Sequence, residues 1–434
     1  MREMKETGIS WFPLIPADWQ TGRIKDILSV LTDYTANGSF GDLAKNVTYL
    51  DYEDYARLVR LTDLRENLKN MGVYVDENGY SYLSKSSLFG GEILVANVGA
   101  YAGLFCEMPT VDYPATLAPN MFLLRTNDVM LQHYLLYVGL SSFVWEQLCQ
   151  KAISSAQPKL NKTDVKTTFI PIPPISEQRR IADYLDIKCA QFDSTISDIQ
   201  SQIETLEEYK RSVITEVVTK GLDPDVEMRD SGIAWVGDIP AHWLVEKVKF
   251  HLQRNEPRNP GDKQVLSVYR EYGVIPKDSR DDNHNVTSED TSNYKYVVPG
   301  NLVINKMKAW QGSMGVSEYE GIVSPAYFIY KFTDNQIMPK YLHYLFRSCY
   351  KDEFRRISGG IREGQWDLSP YEFSNTLLLI PPTDEQNRIV SYIDARISEI
   401  EFAITEKKQQ IETIEEYKKS LIFEYVTGKK EVQA

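Results

Sequence analysis

Two stretches of the chain set their apolar residues apart by alternating steps of four and three. The first carries Phe192, Ile196, Ile199, Ile203 and Leu206, then Val213 and Val217. The second carries Ile393, Ile397, Ile400 and Ile404, then Ile411, Ile414, Leu421 and Tyr425. Steps that average 3.5 residues keep one face of a helix apolar turn after turn. The pattern therefore predicts two helices with a heptad seam, interrupted by Lys407 and Lys418. No Gly or Pro breaks either run before Gly221 and Gly428. About 40 residues at 1.5 Å each make rods of roughly 60 Å, too long for ordinary surface helices of a small domain.

The two runs are copies. Pro173-Pro174-Ile175-Ser176-Glu177-Gln178-Arg179-Arg180-Ile181 opens the first and Pro381-Pro382-Thr383-Asp384-Glu385-Gln386-Asn387-Arg388-Ile389 opens the second, at a constant offset of 208 residues. Tyr184 falls on Tyr392, Asp186 on Asp394, and Glu207-Glu208-Tyr209-Lys210 on Glu415-Glu416-Tyr417-Lys418. A Pro pair holds an extended approach, Ser176 or Asp384 is the expected N-cap, and a carboxylate follows where the helix dipole favours it. The first helix delivers the chain to a second domain, and the two seams bury each other only if the second helix runs back antiparallel. The expected object is a two-helix bar with pseudo-twofold symmetry.

Elsewhere the apolar runs are short and broken by Gly and Pro, as in Ile93-Leu94-Val95-Ala96 and Met121-Phe122-Leu123-Leu124, which predicts mixed sheets with a few helices. Gln132 to Gln147 has the spacing of one amphipathic helix. These parts repeat too. Thr7-Gly8-Ile9-Ser10-Trp11 and Ile15-Pro16-Ala17-Asp18-Trp19 return as Ser231-Gly232-Ile233-Ala234-Trp235 and Ile239-Pro240-Ala241-His242-Trp243, a lid expected to pack on each domain edge. Gly91-Glu92-Ile93-Leu94-Val95 returns as Gly300-Asn301-Leu302-Val303-Ile304, and Tyr101-Ala102-Gly103 as Trp310-Gln311-Gly312. The fold class is α+β: two mixed α/β domains separated by a long antiparallel two-helix coiled coil. The expected boundaries are 1–172 with its lid at 7–19, helix 173–221, linker, lid 231–243 and second domain in 222–380, and helix 381–434.

With a shared frame, the variable content sits in loops. Asn305 to Gly312 puts Lys306, Lys308, Trp310 and Gln311 into one turn, and Ser358 to Trp366 sets Arg362, Gln365 and Trp366 on a Gly-rich loop. In the first domain the counterparts are Asn97, Tyr101, Ser154, Ser155, Gln157, Lys159, Asn161 and Lys162. Arg, Gln and Asn pair bidentately with guanine or adenine edges, and Gly-loop amides suit phosphates, so each cluster as a whole points to DNA. Any one of these residues alone is equally a solvated surface residue, and Trp310 and Trp366 equally suit core anchors.

Charge and chemistry narrow the reading. The formal net charge of −13 opposes a protein that grips DNA by itself, since phosphate affinity comes from Lys and Arg; it suits local contact with partners that supply positive surface. Cys106, Cys149, Cys189 and Cys349 are scattered, as reduced thiols would be, and the five histidines have no metal-ligand spacing. No phosphate loop or dinucleotide turn appears. The Asn-Pro-Pro-aromatic tetrapeptide that holds a flipped adenine is absent too. No signal pattern or membrane-length apolar run is present, so a cytoplasmic, non-catalytic protein is expected. A fused DNA-modifying enzyme would need the missing motifs, and an acidic DNA mimic would not mix its carboxylates with so many Lys and Arg.

On the duplicated Pro-Pro-x-x-Glu-Gln-x-Arg-Ile openings, the Ile-Pro-x-x-Trp lids and the loops around Trp310 and Trp366, the chain resembles the specificity subunits of type I restriction–modification systems over nearly its whole length. The resemblance implies two target recognition domains, each reading half of a bipartite, non-palindromic site in double-stranded DNA. It implies two docked methyltransferase subunits and joining restriction–translocase subunits. S-adenosylmethionine, ATP and Mg would be bound by those partners, with no cofactor or metal in this chain. The helix residues expected to pack the coil or dock partners are Ile196, Ile199, Ile203, Leu206, Val213, Ile400, Ile404, Ile411, Ile414 and Leu421, with Glu177, Gln178, Glu385 and Gln386. Replacing Arg362 or Gln365 by Ala is expected to weaken binding at the second half-site while methyltransferase docking survives. Competition between duplexes altered in either half-site measures this, and parental binding to every duplex would show that the loop is misplaced.

Overall fold

Each long helix begins where a Pro carbonyl can receive it. In the computed structural model, which describes residues 2–152, 157–261, 263–270, 272–279, 287, 290–360 and 366–432, the helices span Ile175–Lys220 and Thr383–Val426. Pro174 O accepts from Glu177 N and Gln178 N at 2.9 and 3.0 Å, and Pro382 O accepts from Glu385 N and Gln386 N at the same distances. Ser176 and Asp384 therefore lie inside the first turn, and the expectation that they cap the helices is corrected. The carboxylates Glu177 and Glu385 remain in that turn, beside the positive end of the dipole.

The chain divides into two compact units, Met1–Ile199 with Gln409–Ala434, and Gln200–Lys408. The division falls inside both helices, so each unit owns the start of one and the end of the other. In the first unit Ile181, Leu185 and Cys189 share a buried core with Leu421, Ile422 and Val426. In the second, Val213, Val217 and Val218 share one with Ile389, Val390 and Ile393. A fully buried Ile such as Ile393 contributes about 1.5–3 kcal/mol, so these ends are held by packing more than by helix propensity.

Within each unit the paired helix segments run antiparallel. The first unit has ring contacts Tyr184–Tyr425 at 4.6 Å and Phe192–Tyr417 at 5.5 Å, with Lys418 Nζ donating to Asp193 at 2.6 Å. The second has Lys210 Nζ on Glu401 at 2.6 Å and Lys407 Nζ on Gln202 at 2.5 Å. The two lysines that interrupt the seam thus reach across to the facing helix, an exposed contact worth ~0–1 kcal/mol each. Ile199, Val213, Ile400, Ile404 and Leu421 are buried, and Ile196, Ile203, Leu206, Ile411 and Ile414 half-buried.

Both units carry the same antiparallel four-stranded sheet. In the first its order is Leu28–Asp33, Met121–Thr126, Ile93–Ala96, Phe105–Glu107; in the second it is Leu252–Arg254, Tyr327–Phe332, Leu302–Asn305, Met314–Val316. What surrounds the sheet differs. The first unit adds a second four-stranded sheet in which Ala115–Leu117 pairs parallel with Ala56–Val59, whereas the second adds two ribbons, Leu266–Tyr269 with Gly273–Pro276 and Lys295–Val297 with Gly321–Val323. The single helix expected over Gln132 to Gln147 is two, Gln132–Leu140 and Ser142–Ala152. Buried Ser141 is extended (ψ 147°) and its hydroxyl donates to Val138 O, which breaks the helix without Gly or Pro.

The repeated polar residues of the helix openings face inward. Gln178 accepts from Leu131 N (2.8 Å) and donates to Val129 O (2.9 Å) and Pro173 O (2.8 Å); Gln386 accepts from Met338 N (2.7 Å) and donates to Gln336 O (2.7 Å) and Pro381 O (2.8 Å). Glu177 accepts from Trp19 Nε1 and from Arg2, each at 2.8 Å, and Glu385 bonds His242 at 2.7 Å. All four are buried, so their assignment to a partner-docking surface is corrected: their hydrogen bonds are made within their own unit. Gln178→Ala and Gln386→Ala each strand one N–H and two carbonyls. The expected cost is about 1–3 kcal/mol, and the unit concerned melts at about 2–4 °C lower per kcal/mol. Differential scanning calorimetry checks this; an unchanged profile would contradict the structural role.

Candidate nucleic-acid interface

In each unit the turn that follows the matched strand is joined to a segment far along the chain. In the first unit Leu160 N donates to Asn97 O at 2.8 Å, Gly99 N donates to Pro158 O at 2.9 Å, and Val98 bridges Lys159. Asn97, Tyr101, Gln157 and Lys159 are thereby gathered at one place, with Gln157 and Lys159 exposed and Tyr101 44% exposed. Asn161 lies next to them but its carboxamide oxygen accepts from Thr163 N (2.8 Å) and Asp164 N (3.1 Å), capping helix Lys162–Lys166. That engages the carboxamide oxygen as a cap and leaves the Nδ2 of this exposed side chain as a donor. Lys162 is tied to Asp33 at 3.0 Å. Ser154 and Ser155 lie outside the described residues.

In the second unit Leu368 N donates to Lys306 O at 2.9 Å and Lys306 Nζ reaches Asp367 at 3.0 Å. The hairpin Ser358–Gly359 with Asp367–Leu368 is thus fastened to the turn 305–312. Trp310 and Trp366 pack on each other with ring centroids 5.6 Å apart and planes at 58°. Both are half-buried, and the Trp310 indole N–H donates to Met307 O at 3.1 Å, so the pair shapes the site's wall with faces partly open. Lys308 is exposed; Gln311 is half-buried and accepts from Arg270. Arg362 and Gln365 lie outside the described residues.

Two arginines were missed by reading the sequence. Arg65 places its guanidinium carbon 4.4 Å from the centre of the Tyr101 ring, and Arg270 donates to Gln311. Both come from elements that only one unit has, so no repeat marks them. The sites are turns rich in amide, cation and aromatic groups, of kinds able to bond base edges and phosphates. Among the described residues no group of three or more His, Cys, Asp or Glu side chains is placed to hold a metal ion, and no helix is long and apolar enough to cross a membrane.

Behind the second site His343 supports the sheet edge. Its Nδ1 accepts from Val316 N at 3.2 Å, and its ring lies so near Gly273 and Gly315 that a Cβ at either would stand 2.9 or 3.2 Å away. Burial, then the charges of Arg347 and Lys340, push its pKa down to about 3. In the first unit His133 sits between Glu107 (2.8 Å) and Asp186 (2.7 Å), and its hydrogen bond with Glu107, then that with Asp186, outweighs desolvation and raises its pKa to about 9.

A profile of the type I restriction modification DNA specificity domain matches residues 16–208 and 251–413. A putative type I restriction enzyme specificity subunit, MjaX, of Methanocaldococcus jannaschii is 23% identical over 433 residues, covering 96% of this chain and 94% of the relative. The EcoKI specificity subunit of Escherichia coli K12 is 24% identical over 277 residues, 59% of this chain and 57% of that protein. A chain solved in work on complex assembly and conformational transition of the type I R-M system superposes with a TM-score of 0.66 at 15% identity, covering 95% of this chain and 99% of that one. The HsdS subunit of Thermoanaerobacter tengcongensis does so at 0.50 and 16% identity, covering 95% and 98%. These structures share the fold, with its two long helices.

The two histidines give the units opposite pH responses. Unfolded His343 takes up a proton near pH 6.5 and the folded one only near 3, so its contribution is present above about 6.5 and is lost as pH falls through that window. Folded His133 keeps its proton to about 9, so its contribution is present below about 6.5 and is lost as pH rises toward 9. Thermal melting of His343→Asn is expected to lose part of the parent's acid sensitivity, and His133→Asn part of its alkaline sensitivity. Parallel pH profiles for parent and variants would overturn the assignment.

Proposed function

The chain belongs to the type I restriction modification DNA specificity family, and on that premise we propose that it reads a bipartite, non-palindromic target, one half-site with each recognition domain. The observation that carries this reading is the shared sheet with unlike turns: Asn97, Tyr101, Gln157 and Lys159 in one unit, Lys306, Lys308, Trp310 and Gln311 in the other. Two readers of the same build and different side chains suit two different half-sites, because direct readout depends on which donors and acceptors meet the base edges. Sequencing the methylated adenines of a host that carries the system tests it: two unlike half-sites separated by a fixed gap are expected.

The long helices pair as an antiparallel coiled coil with pseudo-twofold symmetry, which sets the half-site spacing and docks two methyltransferase subunits. The antiparallel contacts within each unit support this pairing. The chain itself is non-catalytic and cytoplasmic. Adenine methylation from S-adenosylmethionine and ATP- and Mg-dependent translocation and cleavage belong to the methyltransferase and restriction subunits, which also supply most of the positive surface around the DNA.

The ruler has a measurable period. Seven residues inserted at matched points of both helices add roughly 10 Å at 1.5 Å per residue, close to three base-pair steps at about 3.4 Å each. The gap in the methylated sequence is expected to lengthen accordingly, with both half-sites unchanged. A variant that methylates the parental sequence at the parental gap would remove the helices as the spacing element.

A further inference from the structure

Each candidate turn is met by an arginine from outside the shared frame, and each of those arginines is carried on a backbone that a second arginine clamps. In the first unit Arg57, 4% exposed, donates to Leu68 O (2.8 Å), Asn70 O (3.0 Å) and Asn70 Oδ1 (2.7 Å). Asp63, fully buried, accepts from Arg60 N (2.8 Å), from the Arg60 guanidinium and from Asn70 Nδ2 (2.6 Å). This network holds Asn67 and Leu68 in the left-handed region (φ 49° and 60°), a conformation that persists only when its surroundings fix it. The exposed product is Arg65, at the end of helix Leu61–Arg65, lying over Tyr101. In the second unit Arg347 donates to Tyr269 O (3.3 Å), Met314 O (3.2 Å) and Arg270 O. The exposed product there is Arg270, bonded to Gln311. Tyr101 and Gln311 belong to the turns that follow equivalent strands.

We propose that Arg65 and Arg270 contact DNA, one in each recognition domain, through paired acceptor atoms of the duplex. This rests on the DNA-reading function proposed above. A guanidinium carries its N–H donors in one plane, and the exposed guanidiniums of Arg65, over the Tyr101 ring, and of Arg270, on Gln311, have donors left to offer. Such a fork matches two acceptors at once, either guanine O6 and N7 or two phosphate oxygens. Among the described residues no carboxylate pairs with either arginine. Arg270 also takes up the Gln311 oxygen, which leaves the Gln311 amide as a donor beside a second donor group, again a pattern that seeks acceptors. Two unrelated insertions that each deliver an ordered, outward guanidinium to the same turn are hard to explain by stability, since exposed contacts of this kind are worth little.

The test uses the full chain assembled with its partner subunits, competing the methylated target against duplexes with single base-pair changes in either half-site. Arg65→Ala and Arg270→Ala are each expected to lower target affinity about tenfold or more. They are expected to do so at opposite half-sites. Arg65→Lys separates the two acceptor sources: on a guanine edge it loses discrimination as fully as Ala, whereas on phosphate it keeps affinity for all duplexes and the salt slope of the parent. If both Ala variants bind every duplex like the parent, or if both affect the same half-site, the inference is overturned and the function stands. If the parental complex shows no preference for its own methylated sequence, the function itself fails.

Discussion

Everything else in this structure depends on a tryptophan lying against the glycine that ends a long helix. Gly428 (φ 70°) lies so close to the first lid that a Cβ there would stand 2.4 Å from Pro16 and 3.1 Å from Trp19. Gly221 (φ 76°) ends the first helix beside the second lid, where a Cβ would stand 2.9 Å from Glu385 Oε1 and in ordinary contact with Trp243 (3.4 Å) and Pro240 (3.7 Å). Only Gly takes that backbone conformation without cost, and at Gly428 only Gly leaves room for the lid, so helix termination and lid docking are coupled. The buried tyrosines add the same bond on both sides, Tyr134 donating to Val426 O and Tyr341 to Val218 O. Each unit's core is closed by the end of one long helix and the start of the other, and neither helix is anchored by a single domain.

That arrangement separates what must stay from what is free to change. The glutamines, lids and helix ends satisfy buried polar groups, where a lost partner is costly, and they recur nearly atom for atom. Even there one difference shows. Trp19 donates to Glu177, while Trp243 Nε1 is buried without a partner because Glu385 is taken by His242. The turns after the matched strands carry no such obligation. Apart from buried Ala102 and Ala309, their side chains are exposed or half-exposed, so exchanging most of them costs less stability than exchanging a buried polar residue.

How much of this was legible in the sequence follows from what repeats and what does not. The heptad spacing located both helices, although the second, expected over 381–434, ends at Val426, and the return of Gly91–Val95 as Gly300–Ile304, 209 residues on, paired Ile93–Ala96 with Leu302–Asn305. The caps were misplaced because a Pro carbonyl did the work assigned to Ser176 and Asp384. The inward turn of Glu177, Gln178, Glu385 and Gln386 was missed because a conspicuous polar motif on a helix reads as surface until its carbonyl partners are known. Ser141 broke a helix that periodicity had joined. Arg65 and Arg270 carried no signal, since each is one arginine in a segment found once; only folding brings them to Tyr101 and Gln311.

The net charge of −13 looks opposed to a DNA-reading function until its distribution is considered. The two long helices alone hold 19 acidic against 12 basic residues, more than half of the chain's excess. Repulsion from exposed acids fades over about 8–10 Å at physiological salt, so charge on a helix surface weighs little on a phosphate beyond that distance. Near the turns the balance differs: Lys159 in one unit and Lys308 in the other stand exposed beside aromatic and amide groups. Local cations of this kind suffice to orient a duplex, though not to hold it against salt, since each neutralised phosphate supplies only its own share of counterion release. A chain charged in this way is better suited to discriminate between duplexes than to grip them.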